Sequence, residues 1–487
     1  MFESYIKVLS QKDLDSIHSA SLKALKETGV KVENDRLVSI LREMGCEVKR
    51  KDIVKIPEEV IGDVLQYIKS YKGEKINSGF TQEALYSRGM KAKDNPHQVR
   101  FCASGQSIYA HDLKTDRIRP ATKEDLIDAT RLVTSLPEIG LSHPVFIPQD
   151  VPQETRDIHT LEVVSLYYSD PRCVELFNLR SLNYFIQIGL VLRGSMDELR
   201  KNPCFSYVLF TDTPLRFSKT NLEIALKLHD MGFSSSIGGV MVIPGANTPV
   251  TLAGSLVIQN VEILSSNLIN KVLNAEPRGY SAVIPTAMDM RYGISSQGAP
   301  EASLLSVASI QLMNYYGFPV EGLGLFNTDS KLPDIQTGIE KTFGLMLGII
   351  AGVRSFTSGG VLAGAQVASL AQIVIDAELV GSVNRLLKGI NCGPEELAID
   401  LIQKVGIGGD FLAEEHTVEK FREELWFPKL ADRTGPSRWL ESKETMLEKA
   451  KKRVAAILDE CTDEPIIDRH KAKEIRRIVK EADEKLA

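Results

Sequence analysis

The feature that most constrains the fold is an alternation of short apolar runs with longer amphipathic ones, from Ile139 to Gly360. Seven of the apolar runs are typical of strands: IGLSHPVF, RCVELFNL, CFSYVLF, SSIGGVMVI, YSAVIPTA, VEGLGLF and SFTSGG. Helical stretches such as NLEIALKLHDMG and EASLLSVASIQLMNYYG separate them. A unit of roughly 30–40 residues fits a strand with its crossover helix, and strands that alternate with helices form a parallel sheet. The pattern therefore favours an α/β fold, a (β/α)8 TIM barrel rather than an open sheet.

The segments around the proposed barrel predict two appendages. Residues 1–95 form a mostly helical N-terminal appendage, residues 96–410 the (β/α)8 barrel catalytic domain, and residues 411–487 a helical C-terminal extension packed on the barrel. The end of this extension, from Asp463, is highly charged and is predicted to be a solvated helix. The eighth strand lies in RFCASGQSIYA (100–110) or in VGIGGDFL (405–412).

Composition excludes several classes of protein. A net charge of -6 gives no reason to expect nucleic acid or an anionic membrane as a partner. The N-terminus shows no basic segment followed by an apolar stretch, and GLMLGIIAGV is shorter than the roughly 20 residues that span a bilayer. The six cysteines lack CxxC spacing, as expected of reduced thiols. We therefore expect a cytoplasmic protein.

A cluster of polar residues, Asn327 to Lys331, stands between the run VEGLGLF and a helical stretch. In a barrel it would form a βα loop at the mouth, where barrel enzymes carry their active sites. Pro333 is expected in the first helical turn and Asp334 at the positive helix end. Gln336 and Glu340 are four residues apart and should share a face. We expect these polar residues to have a functional role; the alternative is that they only cap and turn the chain.

Aromatic residues recur at or near the proposed strand ends. They are Phe146, Phe177, Phe210, Phe326 and Phe356, with Tyr280 at a strand start and Tyr292 beyond it. Aromatic rings can surround a cation without supplying a charge. The alternative is that they pack the upper layer of the barrel.

Familiar catalytic signatures are missing. The eight histidines show no HxxxH or HxxC spacing, and the chain has no GxGxxG, P-loop or Gly-x-Ser-x-Gly motif. We therefore predict no metal site and no tightly bound cofactor.

Five segments in order resemble a known family. They are IPGANTPVTLAGSLVIQNVEIL, MDMRYGISSQGAPE, NYYGFP, TDSKLPDIQTGIEK and GGDFLAEEHTVEKFREELWFPKLADR. Together, from Ala110 to Trp439, they resemble the trimethylamine:corrinoid methyltransferase superfamily. Archaeal trimethylamine enzymes of that family carry pyrrolysine just before the TDSK-like motif, where this chain has an ordinary residue, Asn327 or a neighbour. The resemblance thus implies the non-pyrrolysine branch, which demethylates quaternary amines: glycine betaine first, with proline betaine, carnitine or butyrobetaine as alternatives.

The resemblance also implies the chemistry. The methyl group moves from nitrogen to Co(I) of a corrinoid (cobalamin) on a separate cognate protein, so this chain need supply no nucleophile. Positive charge on nitrogen is lost in the step, so a carboxylate against it would stabilise the ground state more than the transition state. Aromatic and amide groups can hold the cation, and orientation of one methyl group is the main contribution of the protein.

The site residues expected on this basis fall into three groups. The catalytic candidates are Asn327, Asp329, Lys331 and Glu340. The substrate-binding candidates are Phe146, Phe210, Tyr280, Phe326, Thr328 and Phe356. The candidates for the corrinoid or the barrel rim are Arg291, Asn247 and Gln297. Arg291 and Lys331 lie in motifs shared with enzymes whose substrate has no carboxylate, so the anchor of a betaine carboxylate stays open between backbone amides, Asn327 and Thr328.

Two other functions stay open: a Schiff-base aldolase-like barrel that uses Lys331, and a non-catalytic betaine-binding or regulatory protein. We expect a homo-oligomer. The region around Trp426 and Arg433 is expected to be structural or to dock the corrinoid protein, without contacting the substrate.

Overall fold

The computed structural model describes residues 6–69, 98–136, 139–141, 143–169, 171–273, 283–317 and 324–487. They form a mixed α/β fold that is rich in helix. The strands are β1 Val30–Val32, β2 Glu47–Lys49, β3 Ile53–Lys55, β4 Arg100–Ala103, β5 Tyr109–His111, β6 Ile118–Pro120, β7 Ile139–Leu141, β8 Val208–Phe210, β9 Arg216–Phe217, β10 Ser236–Val242, β11 Val283–Pro285, β12 Ala287–Asp289, β13 Ile294–Ser296, β14 Ser355–Gly359, β15 Val361–Leu362 and β16 Val367–Ala368.

The helices are α1 Gln11–Glu27, α2 Asp35–Glu43, α3 Glu58–Lys69, α4 Lys123–Thr134, α5 Arg156–Tyr167, α6 Leu179–Arg193, α7 Met196–Lys201, α8 Lys219–Asp230, α9 Leu252–Leu273, α10 Pro300–Tyr316, α11 Ile335–Ile350, α12 Leu370–Lys388, α13 Pro394–Leu397, α14 Ile399–Val405, α15 Glu415–Glu424, α16 Pro436–Ser442, α17 Met446–Glu460 and α18 Arg469–Leu486.

Two sets of parallel strands form the centre of the fold. In the first set, β4 lies between β14 and β7, with Phe101 opposite both Phe356 and Ile139. In the second set, β10 lies between β8 and β11. A parallel bridge between Glu175 and Ser206 adds one further extended segment. The segment 100–110 therefore supplies a strand of the parallel set, as one of the two expectations had it, whereas residues 405–412 contain no strand.

The ladders between the described residues do not join into one closed ring. The expected strand VEGLGLF is described only from Gly324 onward, and Gly324 to Phe326 forms a turn rather than a strand. A mixed α/β architecture is thus established, and closure into an eight-stranded barrel stays a prediction.

The N-terminal segment is joined to the central body by both helix packing and strand pairing. Helix α1 begins after Ser10, whose side chain accepts a hydrogen bond from the Asp13 amide, and the chain leaves the helix at Gly29 with φ 78°. Helices α1 and α3 pack on α9, and β1 pairs in parallel with β9. This segment contains more strand than the sequence pattern predicts.

The C-terminal helices pack on the same body. Helix α17 packs on α12, and α18 packs on α5 and α6. The predicted charged helix from Asp463 onward is present as α18 with a solvated face, and its other face is buried, because Ile475, Ile478 and Val479 recur at helical spacing.

Helix α9 is long and apolar enough to cross a membrane by length and composition, and no other described helix is. Within its most apolar window, 72% is buried inside the protein. Its neighbours are β10, α1, α3 and α10. Core helices commonly have this character.

Candidate functional site

Three chain segments converge on the polar cluster Asn327 to Lys331. The Thr328 carbonyl accepts a hydrogen bond from the Gly364 amide (2.9 Å), and the Ser330 carbonyl accepts one from the Ala363 amide (2.7 Å), beyond β14 and β15. Residues beyond β13 reach the same cluster through Asp329. The cluster thus lies beyond the carboxyl ends of β11 and β14, where ligand sites of parallel sheets are found.

Asp329 is the centre of this arrangement. Its carboxylate accepts hydrogen bonds from the amides of Gln297 (2.9 Å) and Gly298 (3.1 Å), and from the Ser296 hydroxyl. The Gln297 side chain donates to the Gly364 carbonyl at 3.3 Å. The Asp329 carboxylate is therefore occupied in holding the end of β13 against the polar cluster.

Glu340 supports the cluster from helix α11. Its Oε2 accepts from the Thr328 hydroxyl (2.6 Å) and the Asp329 amide (2.8 Å), and its Oε1 accepts from the Gln336 side chain (2.8 Å). The expected sharing of a face by Gln336 and Glu340 is confirmed. A Cβ atom at position 298 would collide with the Glu340 carboxylate, so any larger residue there would displace that carboxylate from its hydrogen bonds.

The start of helix α11 differs in detail from the expectation. Asp334 is the N-cap and accepts from the Thr337 amide at 3.0 Å, and Ser330 donates to the same carboxylate at 2.8 Å. Pro333 therefore precedes the cap rather than occupying the first turn. The extended backbone of Asp334 lets its side chain satisfy the free helix amides, which Pro333 cannot do.

Lys331 and Asn327 have contrasting environments. Lys331 is exposed, and its ammonium donates to the Asp329 carbonyl at 2.7 Å. Schiff-base lysines are typically desolvated, so this exposure disfavours the aldolase-like alternative. Asn327 is 5% exposed, and its Oδ1 has no hydrogen-bond partner in the described part of the chain. A buried amide oxygen without a partner is exceptional and marks a candidate ligand contact.

Three of the expected substrate-binding aromatics lie in the core. Phe146, Phe326 and Phe356 are 1%, 0% and 0% exposed. Strand alternation directs Phe356 toward α11, where it packs on Gly348, and the Phe326 ring lies 4.5 Å from the Lys341 ammonium. No bound molecule can reach these rings in this arrangement, so we do not assign a cation to them.

The other expected aromatic residues are exposed or lie outside the described residues. Phe210 is 37% exposed at the end of β8, and its ring lies against Gly239 of β10. Phe177, beyond the Glu175 bridge, is 51% exposed. Tyr280 lies outside the described residues. Tyr292 is 72% exposed, with Arg291 over its ring, so Phe210, Phe177 and Tyr292 are the exposed rings of this group.

The three rim candidates have distinct roles. Arg291 lies at the tip of the β12–β13 hairpin, has a 78% exposed side chain and pairs with Asp289 at 2.7 Å. Asn247 closes its own turn, accepting from the Ile243 amide (2.7 Å) and donating to the Met241 carbonyl (2.8 Å). Of the three, only Gln297 contacts the polar cluster through the bonds described above.

A buried ion pair beneath the cluster is not signalled by the sequence. The Lys341 ammonium contacts the Asp376 carboxylate at 2.7 Å and donates to the Ser358 carbonyl at 3.1 Å. Both side chains are at most 1% exposed. Burial lowers the pKa of Lys341 and raises that of Asp376, while the attraction between the two charges opposes both shifts. Lys341 appears in the sequence as an ordinary amphipathic helix position.

A cavity of about 250 Å³ opens beside the ends of β4 and β7. Its lining includes Gln106, Arg156, Asp157, Glu175 and Phe177. The Glu175 carboxylate accepts from the Gln106 side chain at 3.0 Å and lies 3.6 Å from His143 Nε2. Burial opposes ionisation of Glu175, but His143 and Gln106 hold its pKa below the ordinary value. Of the residues that the sequence analysis singled out, Phe177 lines this cavity, and none of the catalytic, substrate-binding or rim candidates does.

The buried Asp157 carboxyl group predicts that the stability of the protein depends on pH. Burial raises its pKa to about 6, despite hydrogen bonds from Ser181 (2.8 Å) and the Ile158 amide (2.9 Å). The pKa of Asp157 is higher in the folded protein than in the unfolded chain. Its contribution to the free energy of unfolding is therefore complete below about pH 4 and is lost as the pH rises through about 6. Replacing Asp157 with Asn should remove about 2–3 kcal/mol of pH dependence from the free energy of unfolding.

Urea unfolding of the parent and the Asp157→Asn variant between pH 4 and 7.5 measures this difference. The comparison isolates Asp157 from Asp128, whose pKa burial also raises to about 6. Parallel curves for the two proteins would contradict the assignment.

No group of three or more His, Cys, Asp or Glu residues in the described ranges is arranged to hold a metal ion. The prediction that no metal binds stays a prediction.

Comparison with known proteins gives consistent results. The profile of a family described as Trimethylamine methyltransferase (MTTB) matches residues 3–487. Trimethylamine methyltransferase MttB of Desulfitobacterium hafniense is 26% identical over 481 residues, covering 98% of this chain and 94% of that protein. Trimethylamine methyltransferase MttB2 of Methanosarcina mazei is 28% identical over 493 residues, covering 98% and 95%. A glycine betaine methyltransferase of Desulfitobacterium hafniense is 26% identical over 460 residues, covering 93% and 92%.

Among solved structures, the crystal structure of a hydroxylamine MtmB complex aligns with a TM-score of 0.41 and 11% identity, covering 93% of this chain and 94% of that chain. A likeness at that level carries no conclusion about the fold.

Proposed function

Because the chain belongs to the trimethylamine methyltransferase (MTTB) family, we propose that it transfers a methyl group from a quaternary amine to Co(I) of a corrinoid on a separate protein. Membership is established over nearly the whole chain, beyond the motif region from Ala110 to Trp439, and makes the chain a methyltransferase. Glycine betaine is the first substrate candidate, since one relative is a glycine betaine methyltransferase. Proline betaine, carnitine and butyrobetaine are the alternatives.

The observation that carries this proposal is the buried Asn327 amide at the start of the hydrogen-bonded polar cluster. Its Oδ1 lacks a partner in the described structure, while Asp329 and Glu340 beside it are occupied by hydrogen-bond donors. An ordinary asparagine at or near the pyrrolysine position fits a substrate that needs no activation. A quaternary ammonium already has a neutral amine as its leaving group.

The electrostatics of the cluster suit loss of positive charge from the substrate. The Asp329 and Glu340 carboxylates accept hydrogen bonds from backbone and hydroxyl groups, so they are not free to approach the substrate nitrogen. A neutral amide oxygen such as Asn327 Oδ1 would contact the polarised methyl groups without strongly favouring the cationic ground state. The corrinoid supplies the nucleophile, and the residues of this chain bind and orient the amine.

We further propose that the parallel strands close into a (β/α)8 barrel with residues 96–410, between N-terminal (1–95) and C-terminal (411–487) extensions. We also propose that the enzyme is cytoplasmic and homo-oligomeric, and that it has no metal ion and no tightly bound cofactor of its own.

Purified protein mixed with photoreduced cob(I)alamin and a panel of amines tests the function. Betaines should cause loss of the Co(I) absorbance, and trimethylamine should not. Consumption of trimethylamine alone would contradict the proposed substrate class. Binding of a betaine without loss of Co(I), also in the presence of a corrinoid protein, would favour the betaine-binding alternative, and borohydride trapping of an adduct at Lys331 would favour the aldolase-like one.

A further inference from the structure

We infer that Arg156, in the cavity beside β4 and β7, binds a carboxylate group of the substrate. The inference rests on the proposed function and adds to it the anchor that the sequence leaves open. The four substrates proposed above all carry a carboxylate beside the quaternary ammonium, and Arg156 is the residue that would distinguish them from amines without one.

Among the described residues, no carboxylate forms an ion pair with the Arg156 guanidinium. Its Nε is buried and has no hydrogen-bond partner in the same part of the chain. Buried guanidinium nitrogens are normally hydrogen-bonded, so a missing partner points to a ligand. Arg156 is also the first residue of helix α5, at the positive end of the helix dipole.

The two acids in the cavity wall do not neutralise Arg156. The Asp157 carboxylate accepts from the Ser181 hydroxyl (2.8 Å) and the Ile158 amide (2.9 Å). Glu175 is held by Gln106 at 3.0 Å and lies 3.6 Å from His143. With both carboxylates directed to other donors, the guanidinium is free for an external anion, and its fork of N–H groups matches a carboxylate.

The cavity also offers a neutral wall for the other end of such a substrate. Phe177 lines it with a half-exposed side chain, and an aromatic face attracts an ammonium group without a formal charge. A volume of about 250 Å³ lies just below the usual range of ligand pockets, roughly 300–1,000 Å³, and suits a small molecule rather than a corrinoid.

One loop connects this cavity with the polar cluster. Gln106 lines the cavity in the left-handed conformation, with φ 49°, and the next residue, Ser107, donates to the Ala365 carbonyl at 2.9 Å. Gly364, adjacent to Ala365, accepts from the Gln297 side chain and donates to the Thr328 carbonyl. A short chain of backbone and side-chain hydrogen bonds therefore connects the cavity lining with the Asn327 cluster at the carboxyl ends of the parallel strands. Strained backbone such as that of Gln106 is frequent at ligand sites.

Calorimetry on the full-length protein without corrinoid tests the inference. Glycine betaine and butyrobetaine carry a carboxylate, whereas choline and tetramethylammonium do not. Replacing Arg156 with Gln should weaken binding of the two carboxylate ligands at least tenfold and change the affinity for the other two by less than twofold. Arg156→Lys should recover part of the loss, because a lysine supplies the charge without the fork.

Arg180→Gln is the matched control, since Arg180 is exposed on the neighbouring helix α6 and has no ion pair in the described structure. Circular dichroism and thermal unfolding of each variant verify folding, and Arg156→Lys serves if Arg156→Gln does not fold. Equal loss for all four ligands, or no loss for any, would overturn the carboxylate role. Failure of the parent to methylate Co(I) would instead overturn the proposed function, because the binding measurement involves no methyl transfer.

Discussion

Replacing Lys341 with Met is expected to lower the free energy of unfolding by about 3–5 kcal/mol, the usual cost of breaking a buried ion pair. The variant leaves the Asp376 carboxylate in the core without its counter-charge, which now lies 2.7 Å away. The Gly360 amide (2.8 Å) and the Gln372 side chain (2.7 Å) would remain as its hydrogen-bond donors and would not replace the lost charge. Urea unfolding at pH 7, followed by circular dichroism, measures the change.

The double variant Lys341→Met, Asp376→Leu is the appropriate comparison. It removes both charges at similar volume, so it should recover a large part of the lost stability, although Gly360 and Gln372 lose an acceptor. A single variant as stable as the parent would contradict the structural role of the pair. A double variant less stable than the single one would show that hydrogen bonds to Asp376 matter more than the charge.

Replacing Glu340 with Ala is expected to slow single-turnover methylation of cob(I)alamin by on the order of 100-fold, the usual penalty for misplacing reacting groups. The variant removes the acceptor for the Thr328 hydroxyl (2.6 Å) and the Asp329 amide (2.8 Å), the two bonds that join the cluster to helix α11 through Glu340. The Asn327 amide would lose its fixed orientation. Substrate affinity should fall much less than the rate, because the anchor proposed at Arg156 is unchanged.

Glu340→Gln keeps an oxygen that can accept from the Asp329 amide and should therefore retain more activity than Glu340→Ala. Glu419→Ala, at an exposed position of helix α15, is the control for loss of a glutamate and should react at the parent rate. If Glu340→Ala folded normally and transferred methyl as fast as the parent, the cluster would have no part in orienting the substrate.

The aromatic residues illustrate what sequence patterns can and cannot show. Phe356 lies at the start of β14 and Phe326 lies in a turn, so neither is at the carboxyl end of a described strand as predicted, and both rings face the helix layer and are buried. The direction of a side chain at a strand end depends on the register of the strand, and a shift of one residue reverses it. Phe177 and Phe210 have the same sequence signature and keep free faces, so burial was decided by the elements packed around each ring.

The polar residues also show which features the sequence predicts and which depend on the tertiary structure. The sequence alone placed Asn327 to Lys331 between an apolar segment and a helix, and the spacing of Gln336 and Glu340 predicted their contact, because both features depend on neighbours along the chain. It also determined the parallel α/β pattern and the family. Only the tertiary structure brought Asp329 to Gln297, Lys341 to Asp376 and Arg156 into a cavity with Phe177. These contacts join residues that are far apart in sequence, and the partners of a charged side chain depend on packing that no local periodicity records.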